Sequence, residues 1–175
     1  MQADLIKKTI TSKISGSLSG YELIRDILLP QIIGQNSNFL YWAGKELARE
    51  LYLQKDEEIP LFFEEVNWGK LTRKKSKVQQ QRFELSGPVV ALRLKNDPKA
   101  DFKLEAGFLA QTVEQQTGLV TEAIVEEANK HTGTVKILVQ VDHGNSADMG
   151  QLTNAEPLNL SELLQSADNS ESKKK

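Results

Sequence analysis

Between Tyr21 and Val141 the spacing of apolar side chains changes from helical to strand-like partway along, and that switch sets the expected fold. Tyr21, Leu23, Ile24, Ile27 and Leu28 recur at helical intervals. The residue before a proline is pushed out of the α region, so this first helix is expected to stop before Pro30. Leu40, Ala43, Leu47 and Leu51 fall at i, i+3, i+7 and i+11, one inward stripe on a second helix that Asn36 or Ser37 can cap. A third, shorter helix begins between Asp56 and Pro60, where acids suit the positive helix end and proline fits a first turn. Its inward face is Ile59, Phe62, Phe63 and Val66, and it closes at Asn67-Trp68-Gly69.

From Leu71 the spacing becomes strand-like. Arg82 to Leu85 leads into Ser86-Gly87-Pro88, and Val90, Leu92 and Leu94 alternate with Ala91 and Arg93, so two or three antiparallel strands are expected. Asn96-Asp97-Pro98 signals a turn, and a further helix runs from Phe102 to Gln116 and ends at Gly118, a residue suited to a left-handed cap. A closing hairpin sets Val135, Ile137, Val139 and Val141, which alternate with Lys136, Leu138 and Gln140, against residues 119–128. The Glu and Ala content of residues 119–128 also suits a continuation of the helix. The expected fold class is α+β, with N-terminal helices packed on an antiparallel sheet and a further helix between strand pairs.

Composition bounds the ends. Residues 1–19 are polar and accumulate Ser and Gly at Ser15-Gly16-Ser17-Leu18-Ser19-Gly20, which predicts a flexible lead-in to a single domain over 20–143. Residues 144–175 read as a mostly disordered tail, in which Leu158, Leu160, Leu163 and Leu164 make one short amphipathic turn able to dock on the domain or on a partner. A chain of 175 residues fits one core with ragged ends.

Charged residues make up 26% of the chain but nearly cancel to a net charge of −2, so no global field recruits nucleic acid or a membrane surface. The absence of cysteine excludes disulfides, a thiolate nucleophile, thiolate zinc sites and a thioester-linked fatty acid. The segment Met1 to Lys8 lacks the apolar run of a signal peptide, and no later stretch approaches the roughly 20 apolar residues of a membrane span. A cytoplasmic protein is expected.

Candidate chemistry is sparse. His131 and His143 lack metal-ligand spacing, no Gly-x-Ser-x-Gly elbow marks a nucleophile, and no glycine-rich phosphate loop follows a strand, so neither metal nor cofactor is expected. Lys70, Arg73, Lys74, Lys75 and Lys77 form a dense basic cluster, read as lysines guarding an edge strand rather than a phosphate contact, because no aromatics are interleaved with them. Trp42, Phe62, Phe63, Trp68 and Phe108 have the character of a wall for an apolar ligand, and equally of ordinary core. Gly44 with Ala48 and Gly107 with Ala110 predict a tight helix crossing, within one chain or across a dimer, since glycine inside a helix costs about 1 kcal/mol and is kept for close approach.

Four separated motifs, Tyr41-Trp42-Ala43-Gly44-Lys45-Glu46-Leu47-Ala48-Arg49, Phe62-Phe63 with Trp68-Gly69, Phe83-Glu84-Leu85-Ser86-Gly87, and Leu104 to Gln111, resemble the YslB family of Firmicutes proteins over about Tyr21 to Asp142. That resemblance brings no activity. It implies a fold similar to the nitric-oxide-signalling and Golgi-transport ligand-binding superfamily, with its four-vinyl-reductase and TRAPP branches. It further implies dimerisation through helices, and in some members an apolar ligand in the core. A cysteine-free chain departs from the thioester-linked acyl site and the cysteine-rich metal site of those branches. The functional expectation is a non-enzymatic, homodimeric interaction or adaptor domain. The alternatives are a noncovalent carrier or sensor of a small apolar ligand and, more remotely, an enzyme using Glu46, Glu105 or Glu114, of which Glu105 stands beside Gly107 in the most distinctive motif.

Overall fold

The computed structural model describes residues 2–12, 16–34, 38–74, 77, 79–148 and 156–172. The N-terminal half holds helices α1 (Gln2–Ser12), α2 (Leu18–Glu22), a π-helical segment (Leu23–Leu28), α3 (Leu29–Ile33), α4 (Asn38–Glu50) and α5 (Glu58–Glu65). Strands β1 (Lys70–Arg73) and β2 (Gln80–Ser86) follow, then helices α6 (Pro88–Asn96) and α7 (Lys103–Thr117), strands β3 (Leu119–Asn129) and β4 (Thr134–Ser146), and helix α8 (Leu160–Ser172). The strands form one antiparallel sheet in the order β1-β2-β4-β3, so β4 inserts between β2 and β3. Period-two alternation does what it predicts: Val135, Ile137, Val139 and Val141 of β4 point into one core with Phe83, Leu85 and the apolar side chains of α7. The fold is α+β, and residues 119–129 are strand, with Gly118 as the left-handed cap (φ 69°) that separates them from α7.

Three local expectations are corrected. The alternating run from Val90 to Leu94, read as a strand, lies in the helix α6. Gly87 (φ 115°) turns the chain out of β2, Pro88 sits in a first turn where its missing N–H costs nothing, and burial follows helical spacing at Val89, Val90, Arg93 and Leu94. The first helix does not stop at Pro30. The chain stays helical over residues 18–33 because a wider turn absorbs the proline, with the Leu29 N–H reaching the Ile24 carbonyl five residues back, and it ends at Gly34. The inward stripe of α4 is rotated from the predicted one: Ala43 is exposed and Leu47 half-buried, while Leu40, Gly44, Lys45 and Ala48 face inward. The predicted caps Asn36 and Ser37 lie outside the described residues.

Both ends contribute helix. Ile10 of α1 is buried, and α1 packs against α8. Leu158 and Leu160 are buried, and the Leu158 N–H bonds the Tyr52 carbonyl at 2.9 Å, so the leucines read as a single short turn anchor a longer helix. β1 lies at the edge of the sheet; Arg73 pairs with Asp56 and Lys74 with Glu84, and Lys75 lies outside the described residues.

Truncating the fully buried Leu160 should cost about 2–5 kcal/mol, as core Leu→Ala changes do. Urea unfolding of Leu160→Ala tests this, and an unchanged midpoint would mean that α8 does not dock.

Candidate functional site

The glycines mark a crossing of α4 and α7 within one chain. A Cβ built on Gly44 would lie 2.1 Å from the Leu104 carbonyl oxygen, and one on Gly107 would lie 2.0 Å from that of Tyr41. No side chain fits there. Ala48 and Ala110, about one turn beyond their glycines, are fully buried. The two helices run in the same direction, since Lys103 Nζ donates to Asn38 Oδ1 (3.0 Å) at their starts and Lys45 Nζ lies 3.8 Å from Glu114 farther along. The close approach is spent inside the protomer, so the glycines are not open to a second copy.

The five aromatic candidates divide. Phe62 stacks on Phe108 at 4.7 Å between ring centroids, and Trp68 meets Phe62, Phe63 and Phe108 edge-on at 5.9, 5.2 and 5.4 Å. These four rings fill one another's space in the core. Trp42 stands apart from them, 56% exposed, on the wall of an open cleft of ≈ 550 Å³ between α4, α7 and β3. Ile124 and Val125 of β3 and Ala106 of α7 share that wall.

The first part of this cleft is a strand edge closed by helix side chains. The Ala123 N–H donates to the Tyr41 hydroxyl oxygen (3.0 Å), the Tyr41 hydroxyl donates to Glu122, and the buried Lys45 donates to the Thr121 carbonyl (3.3 Å) and to Glu122 Oε1 (3.1 Å). β3 is an edge strand, and these groups meet the backbone hydrogen bonds that an open edge would offer to another chain. Burial, followed by the bond to Glu122, holds the Tyr41 phenol above its ordinary range.

A second polar cluster centres on Glu105, the acid that stands beside Gly107 in the sequence. Glu105 is completely buried and accepts from Arg25 Nη2 (2.9 Å) and Arg93 Nη1 (3.2 Å). Arg93 also grips Asp26 with two bonds of 2.8 Å, lies 4.3 Å from the Phe102 ring centroid, and joins Arg25 in donating to the Asp101 carbonyl. The cluster ties residues 18–33 to α6 and α7 through charge. Beyond Glu105, the hint in the sequence is an arginine inside each of two apolar runs, Leu23 to Leu28 and Val89 to Leu94. The other candidate acids are engaged as well: Glu46 pairs with Arg49, and Glu114 accepts from the Thr121 N–H (2.9 Å) and Gln111 Nε2 (3.1 Å). His131 sits in the turn after β3 and His143 on β4, both exposed.

The helix that this cluster holds is inverted. Its charged side chains, Arg25 and Asp26, turn inward, while Leu23, Ile24, Ile27, Leu28 and Ile32 are 46% to 69% exposed. Every exposed residue from 18 to 34 is uncharged. The result is a helix with an apolar outer face and an ionic inner one, the reverse of the usual amphipathic arrangement.

Residues 18–140 match the family model described as a protein of unknown function, DUF2507. A relative described as uncharacterized protein YslB, from Bacillus subtilis (strain 168), is 44% identical over 123 residues, which span 70% of this chain and 82% of that one. Among solved structures, a vinyl-4-reductase family protein from Methanocaldococcus jannaschii is similar with a TM-score of 0.61 at 19% identity, over 81% of this chain and 91% of the other. At that identity the likeness speaks for the fold alone.

Gly107→Ala should destabilise the protein by about 3 kcal/mol, the upper end of ordinary overpacking, because a backbone carbonyl must move to admit the methyl group. Gly20→Ala, whose added carbon meets nothing within 4 Å, should be neutral or stabilising in the same denaturant titration. Burial, then the charge of Glu105, pushes the Tyr21 phenol up to about 12, against an ordinary value of 10.0. A group raised in this way favours the fold below its unfolded value and loses that contribution as pH climbs through the folded one. Wild-type stability should therefore fall between pH 10 and about 12 partly through Tyr21. Tyr21→Phe should show a shallower fall there and, because the buried Tyr21 hydroxyl has no hydrogen-bond partner among the described residues, should be neutral or stabilising at neutral pH; identical alkaline profiles would remove Tyr21 from the cluster's energetics.

Proposed function

The chain belongs to the family described as protein of unknown function, DUF2507, and we propose that it works as a non-enzymatic interaction module of the cytoplasm that pairs with a second copy of itself. The observation that carries this reading is the inverted helix over residues 18–33, apolar outside and ionic inside. A homodimer about a two-fold axis sets the same patch against itself, which a charged face resists and an uncharged one permits. Burying the exposed half of an Ile or Leu side chain is worth about 1 kcal/mol. Five such residues from each of two copies supply about 10 kcal/mol before the cost of association, itself about 4 kcal/mol or more. The dimer expected is weak to moderate, and it should dissociate on dilution.

The non-enzymatic part of this reading is supported by the engagement of Glu46, Glu105 and Glu114, each of which already makes an ion pair or hydrogen bond. The vinyl-4-reductase family likeness adds a fold and no reaction. Among the described residues no helix is long and apolar enough to cross a membrane.

Sedimentation velocity across a concentration series is the test. Wild type should shift from monomer to dimer, and Ile27→Glu, at an exposed position, should remain monomeric with an unchanged melting temperature. A wild-type chain that stays monomeric well above micromolar concentration would sink the proposal.

A further inference from the structure

We propose that the cleft between α4, α7 and β3 binds a small amphipathic carboxylate, with its apolar body against Trp42 and Ile124 and its carboxylate at the Lys103 end. The inference is independent of self-association through residues 18–33. A cleft of ≈ 550 Å³ falls within the range of small-molecule sites, about 300–1,000 Å³. Trp42 and Ile124 are 56% and 58% exposed and line the same space, with Ala106, Ala123 and Val125 completing an apolar wall. One ligand body seated there covers two of the large apolar side chains that the fold leaves in water.

The polar groups are distributed unevenly along the cleft. Asn38 and Lys103 stand together where α4 and α7 both begin. Lys103 Nζ donates to Asn38 Oδ1, so the amide oxygen is engaged and its NH₂ group is the part of Asn38 that can meet a ligand. An ammonium and an amide NH₂, at the positive end of the 13-residue helix α4, make this end a donor surface suited to a headgroup that only accepts. Two carboxylates lie nearby, and both are engaged. Asp101 Oδ1 accepts the Lys103 backbone N–H at 2.6 Å, and Glu122, at the far end, accepts from Lys45 and Tyr41. An anionic head placed at Lys103 is separated by the apolar wall from Glu122 at the far end, and the apolar body lies across Trp42.

The test is isothermal titration of the full-length protein with decanoate and with naphthylacetate, each beside its neutral amide. Saturable binding of at least one carboxylate, about tenfold tighter than its amide, is expected. Trp42→Ala and Ile124→Ala, both at exposed positions, should each weaken it about tenfold while the protein stays folded by circular dichroism. Lys103→Gln should erase the preference for the carboxylate over the amide. Ile27→Glu should bind as wild type does, which separates this site from the self-association surface. No saturable binding of either carboxylate would overturn the proposal, and so would binding indifferent to both Trp42→Ala and Ile124→Ala. Amides that bind as tightly as the acids would overturn the assignment of the headgroup.

Discussion

Two helix backbones touching at Gly44 and Gly107 is the constraint on which the rest of the molecule depends. With a hypothetical Cβ only 2.0–2.1 Å from a carbonyl oxygen on either side, α4 and α7 approach until main chain meets main chain. That distance lets Tyr41 and Lys45 reach across and close the edge of β3. A wider spacing would leave the Ala123 N–H and the Thr121 carbonyl as open edge groups. The same crossing leaves the cleft, because α4 hugs the strand at Thr121 and Ala123 and stands off at Ile124 and Val125.

α7 is buried on every side, and each side is served by a different kind of residue. Gly107 admits α4, Phe108 stacks in the aromatic cluster of α5, and Leu109, Ala110 and Val113 join the core. Glu105 receives the two arginines. A buried ion pair is poor evidence of stability, since the desolvation cost takes back much of the attraction, but removing one partner from such a pair costs about 3–5 kcal/mol. Its value here lies in geometry. An apolar helix resting on an apolar core has no preferred rotation, whereas Arg25 and Asp26 reaching for Glu105 and Arg93 hold residues 18–33 with their leucines and isoleucines outward. The exposed apolar face is thus a consequence of the ionic one.

The exposed apolar face and the cleft differed in how far they were legible in the sequence. The exposed apolar face of residues 18–33 uses the residues whose helical spacing was plain, Leu23, Ile24, Ile27 and Leu28, but spacing alone assigns them to a core. For the cleft, Trp42 was visible as a candidate and its companions were not, because Lys103 and Ile124 lie 61 and 82 residues from it in sequence and Asn38, one turn away on the same helix, is a polar residue with no apolar signal. Phe62, Phe63, Trp68 and Phe108, grouped with Trp42 by residue type, turned out to be one another's packing partners.

The amino-acid sequence by itself determined whatever depends on local period and backbone freedom. The alternation in β4, the helices around Leu40, Phe62 and Phe108, the left-handed turn at Gly118 and the need for a close crossing at Gly44 and Gly107 all follow from neighbours within a few residues. Tertiary structure decided everything that depends on what lies opposite. It made residues 88–96 a helix, since a nine-residue run with apolar Val89, Val90, Leu92 and Leu94 satisfies both periods until the buried Arg93 meets Glu105 and Asp26. It carried the first helix through Pro30 and turned α4 so that Lys45, not Ala43, faces inward. The reason is the same in each case: local sequence sets which backbone repeats are cheap, but the face that leaves water is chosen by partners such as Glu105, 80 residues beyond Arg25.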